Sequence, residues 1–363
     1  MWCPCDWLET GRHEALRPVW HSERSSIVGT RVTNGDLIVL RPEGMYCPAG
    51  DFYIDPSRPV ACAVITHGHG DHMRAGMGCY HLSETTMPIL EWRLGTQPCV
   101  CHAYGEPFRL GAATVSLHPA GHVLGSAQVR IEVDGQVWVA SGDYKRQPDP
   151  TCVPFEPVRC DTFITECTFG LPVYRWPDTP SVVAEIAAWR DECGAQGEAA
   201  ILYCYALGKA QRVLAELLAL GETAPVWLHG AVDNGVQVYR GAGIPMIETQ
   251  RVADEARGAD FVGRLIIAPP SAAGSSWLRR FRRAQQGFAS GWMQLRGNRR
   301  RGNYDRGFVL SDHADWPALL QTVRQSGAQR VIATHGNTDA LVRTLNEGGL
   351  NATTFALLRG EED

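Results

Sequence analysis

From Leu37 onward the chain reads as short apolar runs broken by glycine and aspartate, and the first of these runs predict strands. They cover Leu37 to Leu40, Phe52 to Ile54, Ala61 to Thr66, Thr114 to Leu117, Gln128 to Val133, Gln136 to Ala140 and Thr162 to Thr165. The two runs flanking Asp134-Gly135 predict a hairpin, because a type I′ turn needs positive φ at both central positions. After Gly170 the period lengthens. Helices over Ser181 to Cys193 and Lys209 to Leu220 alternate with strands at Ala200 to Cys204, Pro225 to Leu228 and Arg264 to Ala268, the pattern of a Rossmann-like α/β unit. The last stretch returns to the first style, with strands at Gly307 to Leu310 and Arg330 to Ala333 and helices at Trp316 to Gln325 and Asp339 to Asn346. The second unit therefore reads as inserted into the first. Residues 1–34 carry neither a 2.0 nor a 3.6 hydrophobic period and are expected to form a poorly ordered extension.

A length of 363 residues with 44% hydrophobic and 20% charged side chains fits two folded domains and excludes disorder for most of the chain. The net charge of −5 gives no overall argument for a polyanion or an acidic membrane as partner, so any such argument has to be local. Lys145 and Lys209 are the only lysines among 34 basic residues, a bias given little weight. The 12 cysteines include no C-x-x-C pair, and no basic segment leads into an apolar core at the N-terminus. No run approaches the roughly 18 apolar residues of a membrane helix. A soluble cytoplasmic protein with reduced thiols is expected.

The candidate chemistry is concentrated in Thr66-His67-Gly68-His69-Gly70-Asp71-His72, directly after a predicted strand. So many polar groups at a strand end call for a metal. Alternation lets His67 and His69 point one way, while Asp71 and His72 face a second position, which suits two ions. The Asp134-Gly135 hairpin should bring His122, in the preceding loop, beside Asp143 at its far end, where Asp143 is placed to bridge both ions. Glu166, His313 and His335 each follow an apolar strand. Alone, Asp312 reads as a cap and His335 as a structural histidine; their coincidence argues for one site.

Between Arg279 and Arg306 nine arginines, among them Arg299, Arg300 and Arg301, face a single acid, Asp305, with Trp277, Phe281, Phe288, Trp292 and Tyr304 interleaved. This suits a phosphate backbone with bases stacked on rings, the alternative being a solvated face whose aromatics pack inward. Lys209, opening a helix, and Ser275 are further candidate phosphate contacts.

Taken together, the H-x-H-x-D-H run at 67–72, G-H-x-x-G-S at 121–126, S-G-D at 141–143, Glu166, S-D-H-A-D at 311–315 and T-H-G at 334–336 resemble the motifs of the metallo-β-lactamase/β-CASP nucleases, in order. Residues 46–51 (YCPAGD), 168–172 (TFGLP) and 205–211 (YALGKAQ) look most like the bacterial ligase-associated DNA exonucleases. The resemblance implies an α/β fold, a metallo-β-lactamase αβ/βα sandwich (35–170 and 305–363) with an inserted Rossmann-like β-CASP domain (171–304). It further implies that His67, His69 and His122 hold one divalent ion, that Asp71, His72 and His335 hold another, and that Asp143 is shared. Asp55 would orient a ligand histidine from behind. His313, Glu166 and Asp71 are the implied catalytic groups. Zinc, manganese or iron all suit such a donor set. The implied activity is a DNA exonuclease that trims single-stranded or end-frayed DNA in repair, functionally linked to an ATP-dependent DNA ligase and not to a membrane. An RNA-processing nuclease of the same fold is the alternative, since RNA-acting members keep a histidine at the position of His335. A small-molecule metal hydrolase would leave the inserted domain, Glu166 and His313 without a role.

Overall fold

A computed structural model of the chain describes residues 35–256, 258–295, 297 and 303–355. The N-terminal stretch 1–34 and Arg299, Arg300 and Arg301 lie outside the described residues.

Three sheets organise the chain. The first runs in sequence order through β1 (Val39–Arg41), β2 (Gly44–Cys47), β3 (Phe52–Ile54), β4 (Ala63–Val64), β5 (Tyr80–Ser83) and β6 (Cys99–His102), with helix α1 (Met87–Leu94) linking the last two. The second is built from β7 (Phe108–Leu110), β8 (Ala113–Pro119), β9 (Ala127–Val133), β10 (Gln136–Ala140) and β11 (Thr162–Glu166), and is completed by two strands from the C-terminal stretch. Between these two parts of the chain lie α2 (Thr179–Ala195), β12 (Ala199–Tyr203), α3 (Lys209–Ala219), β13 (Val226–Leu228), α4 (Gly230–Gly241), β14 (Thr249–Arg251), β15 (Leu265–Ala268), β16 (Ala284–Ala289) and β17 (Arg306–Phe308). Their strands form a third sheet, all parallel, in the order β14-β13-β15-β12-β16-β17. The chain then passes through α5 (Trp316–Ser326), β18 (Arg330–Thr334), α6 (Thr338–Glu347) and β19 (Asn351–Thr354); β18 pairs with β11 and completes the second sheet.

The first two sheets share one core. Phe52, Ile54 and Val64 of the first pack with Val115, Leu117, Ile131 and Trp138 of the second. The other face of the second sheet is covered by α5 and α6 through Leu319, Val323, Leu341 and Val342. The other face of the first sheet joins α1 and the helices of the third unit, so that Leu82, Ile89, Val213, Leu214 and Val236 belong to one cluster. Helix α3 lies inside that contact and is buried from Lys209 to Leu217.

The predicted strand over Ala61 to Thr66 shrinks to Ala63–Val64, because the chain bends away at Thr66, just after the Ile65 N–H has bonded His81 O of β5, to deliver the histidine loop. The region 80–102, which carried no predicted element, holds β5, α1 and β6. Helix α4 also went unread: Gly230 and Gly235 weaken its local helical signal, and burial of Val232, Val236 and Tyr239 supplies what propensity does not. All ten described cysteines are free thiols, and no helix among the described residues is long and apolar enough to cross a membrane.

The hairpin forms as read, with β9 and β10 antiparallel and Asp134 and Gly135 at φ of +50° and +82°. A Cβ at Gly135 would meet nothing within 4 Å, so replacement costs backbone strain alone. Gly135→Ala is expected to lower stability by about 1–2 kcal/mol, measured by urea unfolding, with catalysis unaffected.

Candidate metal centre

Asp55 directly follows the short strand β3, at φ +45°, and organises the histidine loop from behind. Its Oδ1 accepts from Thr66 N–H at 2.8 Å, while Oδ2 accepts from the Thr66 hydroxyl at 2.5 Å and from His72 Nδ1 at 2.7 Å. The Thr66 hydroxyl, having given its proton to Asp55, accepts in turn from His67 Nδ1 at 3.0 Å. His122 sits in the loop between β8 and β9, where Ser126 Oγ accepts its backbone N–H. Asp143 follows β10, and Gly142 before it has φ +56°, with Thr66 Cβ 2.7 Å from where a Cβ would stand. That close approach brings the hairpin's end against the histidine loop.

Two donor sets result, sharing one carboxylate. In the first, His69 Nδ1 lies 3.1 Å from His67 Nε2 and 3.1 Å from His122 Nε2, and Asp143 Oδ2 lies 3.6 Å and 3.8 Å from the latter two nitrogens. The opposite nitrogens of His69 and His122 face the carbonyl oxygens of Leu207 at 3.2 Å and Asp312 at 2.6 Å. Carbonyls only accept, so those nitrogens carry the protons and the inward ones present lone pairs. Burial holds all three histidines below their ordinary pKa, in the neutral form a metal needs. Three lone pairs and a carboxylate meeting at one point fit a divalent cation.

In the second set His72 Nε2 lies 3.5 Å from Asp143 Oδ2 and 3.6 Å from Asp71 Oδ2. His335, expected as a third ligand here, is exposed, with φ +55°, its Nδ1 3.0 Å from the Thr334 hydroxyl and its ring centre 6.0 Å from that of His72. Its ring stands at the rim of the cavity that Asp71, His72 and Asp143 also line. His313 Nδ1 bonds Glu166 Oε2 at 2.9 Å and lies 4.0 Å from Asp143 Oδ2, and Glu166 is fixed by Tyr144 N–H and the Thr168 hydroxyl. A cavity of about 610 Å³ opens beside Asp71, His72, Asp143 and His335.

The expected phosphate contacts fare differently. Lys209 is buried, with Nζ 3.1 Å from Asp312 Oδ2, so its charge is committed to a carboxylate and not to a phosphate. Ser275 caps a five-residue 3₁₀ turn, donating to Ala272 O and accepting from Trp277 N–H, so it too is occupied. Arg283 and Arg306 pair with Glu198 and Glu192, and Arg280 donates to the carbonyls of Val252 and Glu255. Phe281 and Phe288 are buried and Trp277, Trp292 and Tyr304 pack against the same core, which is the inward-packing alternative. Sequence reasoning missed the Leu207 carbonyl and the group formed by Lys145, Asp149 and Arg212 around Asp312. One signal was available: Lys145 and Lys209, the only lysines of the chain, both lie against Asp312.

Although burial disfavours charge on His72, Asp143, Asp55 and Asp71 raise its pKa to about 10; Glu166 and Asp143 likewise overcome burial and raise His313 to about 9. Both lie above the ordinary 6.5, so the folded chain binds these protons more tightly than the unfolded chain. The resulting stabilisation is whole below about pH 6.5 and is lost as pH rises through 9 to 10. After chelation, the unfolding free energy is expected to fall steadily between pH 7 and about 9.5, on the order of 1 kcal/mol per pH unit for each proton, and the melting temperature with it. A flat profile by calorimetry would contradict this electrostatic account.

The chain matches no family model. It is 32% identical over 314 residues to a probable DNA ligase of Opitutus terrae, covering 85% of this chain and 30% of that protein. It is 34% identical over 151 residues to the endoribonuclease ysh1 of Emericella nidulans, covering 40% of this chain and 15% of that one. An RNase J-like protein of Methanocaldococcus jannaschii is 28% identical over 231 residues, 55% of each chain. The chain thus spans less than two thirds of the length of these curated relatives. Among solved structures, a protein of unknown function from Enterococcus faecalis is similar with a TM-score of 0.54 at 11% identity, covering 80% of this chain and 78% of that one, a likeness of fold alone. With relatives of this kind, and with the histidines and aspartates of its motifs gathered at the strand ends in two donor sets, the chain belongs to the metallo-β-lactamase/β-CASP nuclease family.

Proposed function

We propose that the chain is a two-metal phosphodiesterase that trims DNA ends. The observation that carries this reading is the sharing of Asp143 Oδ2 between the His67/His69/His122 set and the Asp71/His72 set, with His313 beside it. His67, His69, His122 and Asp143 would hold one divalent ion; Asp71, His72, Asp143 and, by matched position, His335 would hold the other. Zinc, manganese and iron all suit these donors. When bound, such a pair supplies Lewis-acid activation of water and neutralises charge on the phosphate.

The protein's own groups do the rest. Glu166 takes the Nδ1 side of His313, which leaves the other ring nitrogen to donate a proton to the leaving oxygen. Against burial, the Glu166 carboxylate beside its Nδ1 favours the protonated form of the His313 ring. Asp71, whose side chain is about a third exposed, is the set's most open carboxylate and orients the incoming nucleophile. Asp55 holds His72 in register from behind.

On this reading residues 35–170 and 305–363 form the metallo-β-lactamase sandwich and 171–304 the β-CASP insertion. The third sheet supports this division, since its strands lie between Ala199 and Phe308, with β17 extending it slightly past the sequence boundary. DNA as substrate and a link to a DNA ligase rest on the relative named a probable DNA ligase, which aligns with 85% of the chain. RNA is the second reading, favoured by the relatives named as ribonucleases. Matched end-labelled DNA and RNA oligonucleotides, incubated with zinc, manganese or iron(II), separate the two: DNA shortened stepwise from an end supports the first, and preferential RNA cleavage replaces it with the second.

Asp143→Ala is expected to lose bound metal and abolish hydrolysis, whereas His313→Ala should keep both ions and lose about 10²-fold or more in turnover. Metal analysis beside kinetics checks this, and loss of an ion from the His313 variant would make that residue a ligand. Replacing Arg299, Arg300 and Arg301 together by Gln should weaken single-stranded DNA binding and flatten its salt dependence by roughly one counterion per lost contact, with metal content unchanged. If affinity and salt slope both stay the same, the substrate groove lies elsewhere.

A further inference from the structure

Helix α3 and the loop before it belong to the third unit, yet they reach the back of the first donor set at two points. The Leu207 carbonyl takes the outward proton of His69, and Asp312, whose carbonyl takes that of His122, is held by α3. Lys209 Nζ lies 3.1 Å from Asp312 Oδ2. Arg212, fully buried, donates through Nη1 to Ser311 O at 2.8 Å, with the same nitrogen 3.6 Å from Asp312 Oδ1. Lys145 closes the group, donating to His122 O at 3.1 Å and pairing with Asp149. Asp312 Oδ1 is buried and accepts no hydrogen bond, so that side of the carboxylate is held by charge alone. Lys145 Nζ lies 3.9 Å from the same Oδ1, so three cations face this carboxylate. Three cations enclose two carboxylates here; without one of them, the Asp312 carboxylate would sit in a poorly polarisable interior with weaker compensation.

We propose that Lys209 and Arg212 are positioning residues of the metal centre: by pinning Asp312 they keep its main-chain carbonyl on His122 Nδ1, and so keep Nε2 turned inward as a lone-pair donor. Neither residue touches the donor sets directly. The inference rests on the two-metal reading, but concerns how the ligand is held and not which polymer is cut. Groups that orient a metal-binding histidine in this way are typically worth about 10–100-fold in metal affinity.

The test uses the full chain, stripped and then titrated with zinc or manganese by calorimetry, alongside ¹⁵N spectra of labelled histidine that report each tautomer. Lys209→Met and Arg212→Gln are each expected to weaken the tightest ion about 10–100-fold and to convert His122 from one tautomer, protonated on Nδ1, to a mixture. Arg190→Gln, which breaks an ion pair to Glu222 in the same unit away from the site, should change neither. Unchanged affinity and tautomer in both α3 variants would overturn the proposal. So would failure of both to fold while the Arg190 variant folds, because the group would then serve stability only. Absence of any ion binding in the unmodified chain would instead overturn the two-metal reading itself.

Discussion

His69 Nδ1 faces His67 Nε2 and His122 Nε2 at 3.1 Å each, and the partners on the far side of the rings leave no proton for these contacts. Thr66, Leu207 and Asp312 have taken those protons on the outer edges. Lone pairs at such separations repel, so a cation is the partner that turns the arrangement from a cost into a stabilisation. Much of the surrounding structure follows from keeping the rings turned this way. Asp55 holds Thr66, the positive φ of Gly142 lets Asp143 come in from the second sheet, the loop before α3 supplies the Leu207 carbonyl from the third unit, and Lys209 of α3 pairs with Asp312.

This organisation explains what local sequence reveals. The spacing of His67, His69, Asp71 and His72 is legible because one short loop carries all four. The meeting of His122 with Asp143 is also legible, because a single hairpin with a recognisable turn sets it. Lys209 is not. Glycine-lysine at a helix start suggests an open phosphate site, and a helix with Lys209, Arg212 and Glu216 among its polar positions suggests a wet face. That face is buried because Asp149 and Asp312, far away in sequence, supply the compensating charge. Local periodicity carries no trace of partners a hundred residues distant.

The arginine-rich stretch illustrates the same limit from the opposite side. Its interleaved rings look like a stacking platform, but Phe281 and Phe288 are core residues, and β16 threads through the segment to join the third sheet. Where aromatic and basic residues alternate, the rings follow the apolar interior and the guanidinium groups reach for acids at its edge, as Arg283 does for Glu198 and Arg306 for Glu192. Charge density along a sequence therefore overstates the charge left for a ligand.

Gly142 has a bearing on how this chain can drift. Any side chain there would press on Thr66, whose hydroxyl steers His67, and Thr66 in turn has Asp55 against its other side. Substitution at one of these positions is felt at the next, so the three behave as a single inherited character spread over nearly ninety residues. Sequences that descend from this one are bound to change them in concert or not at all.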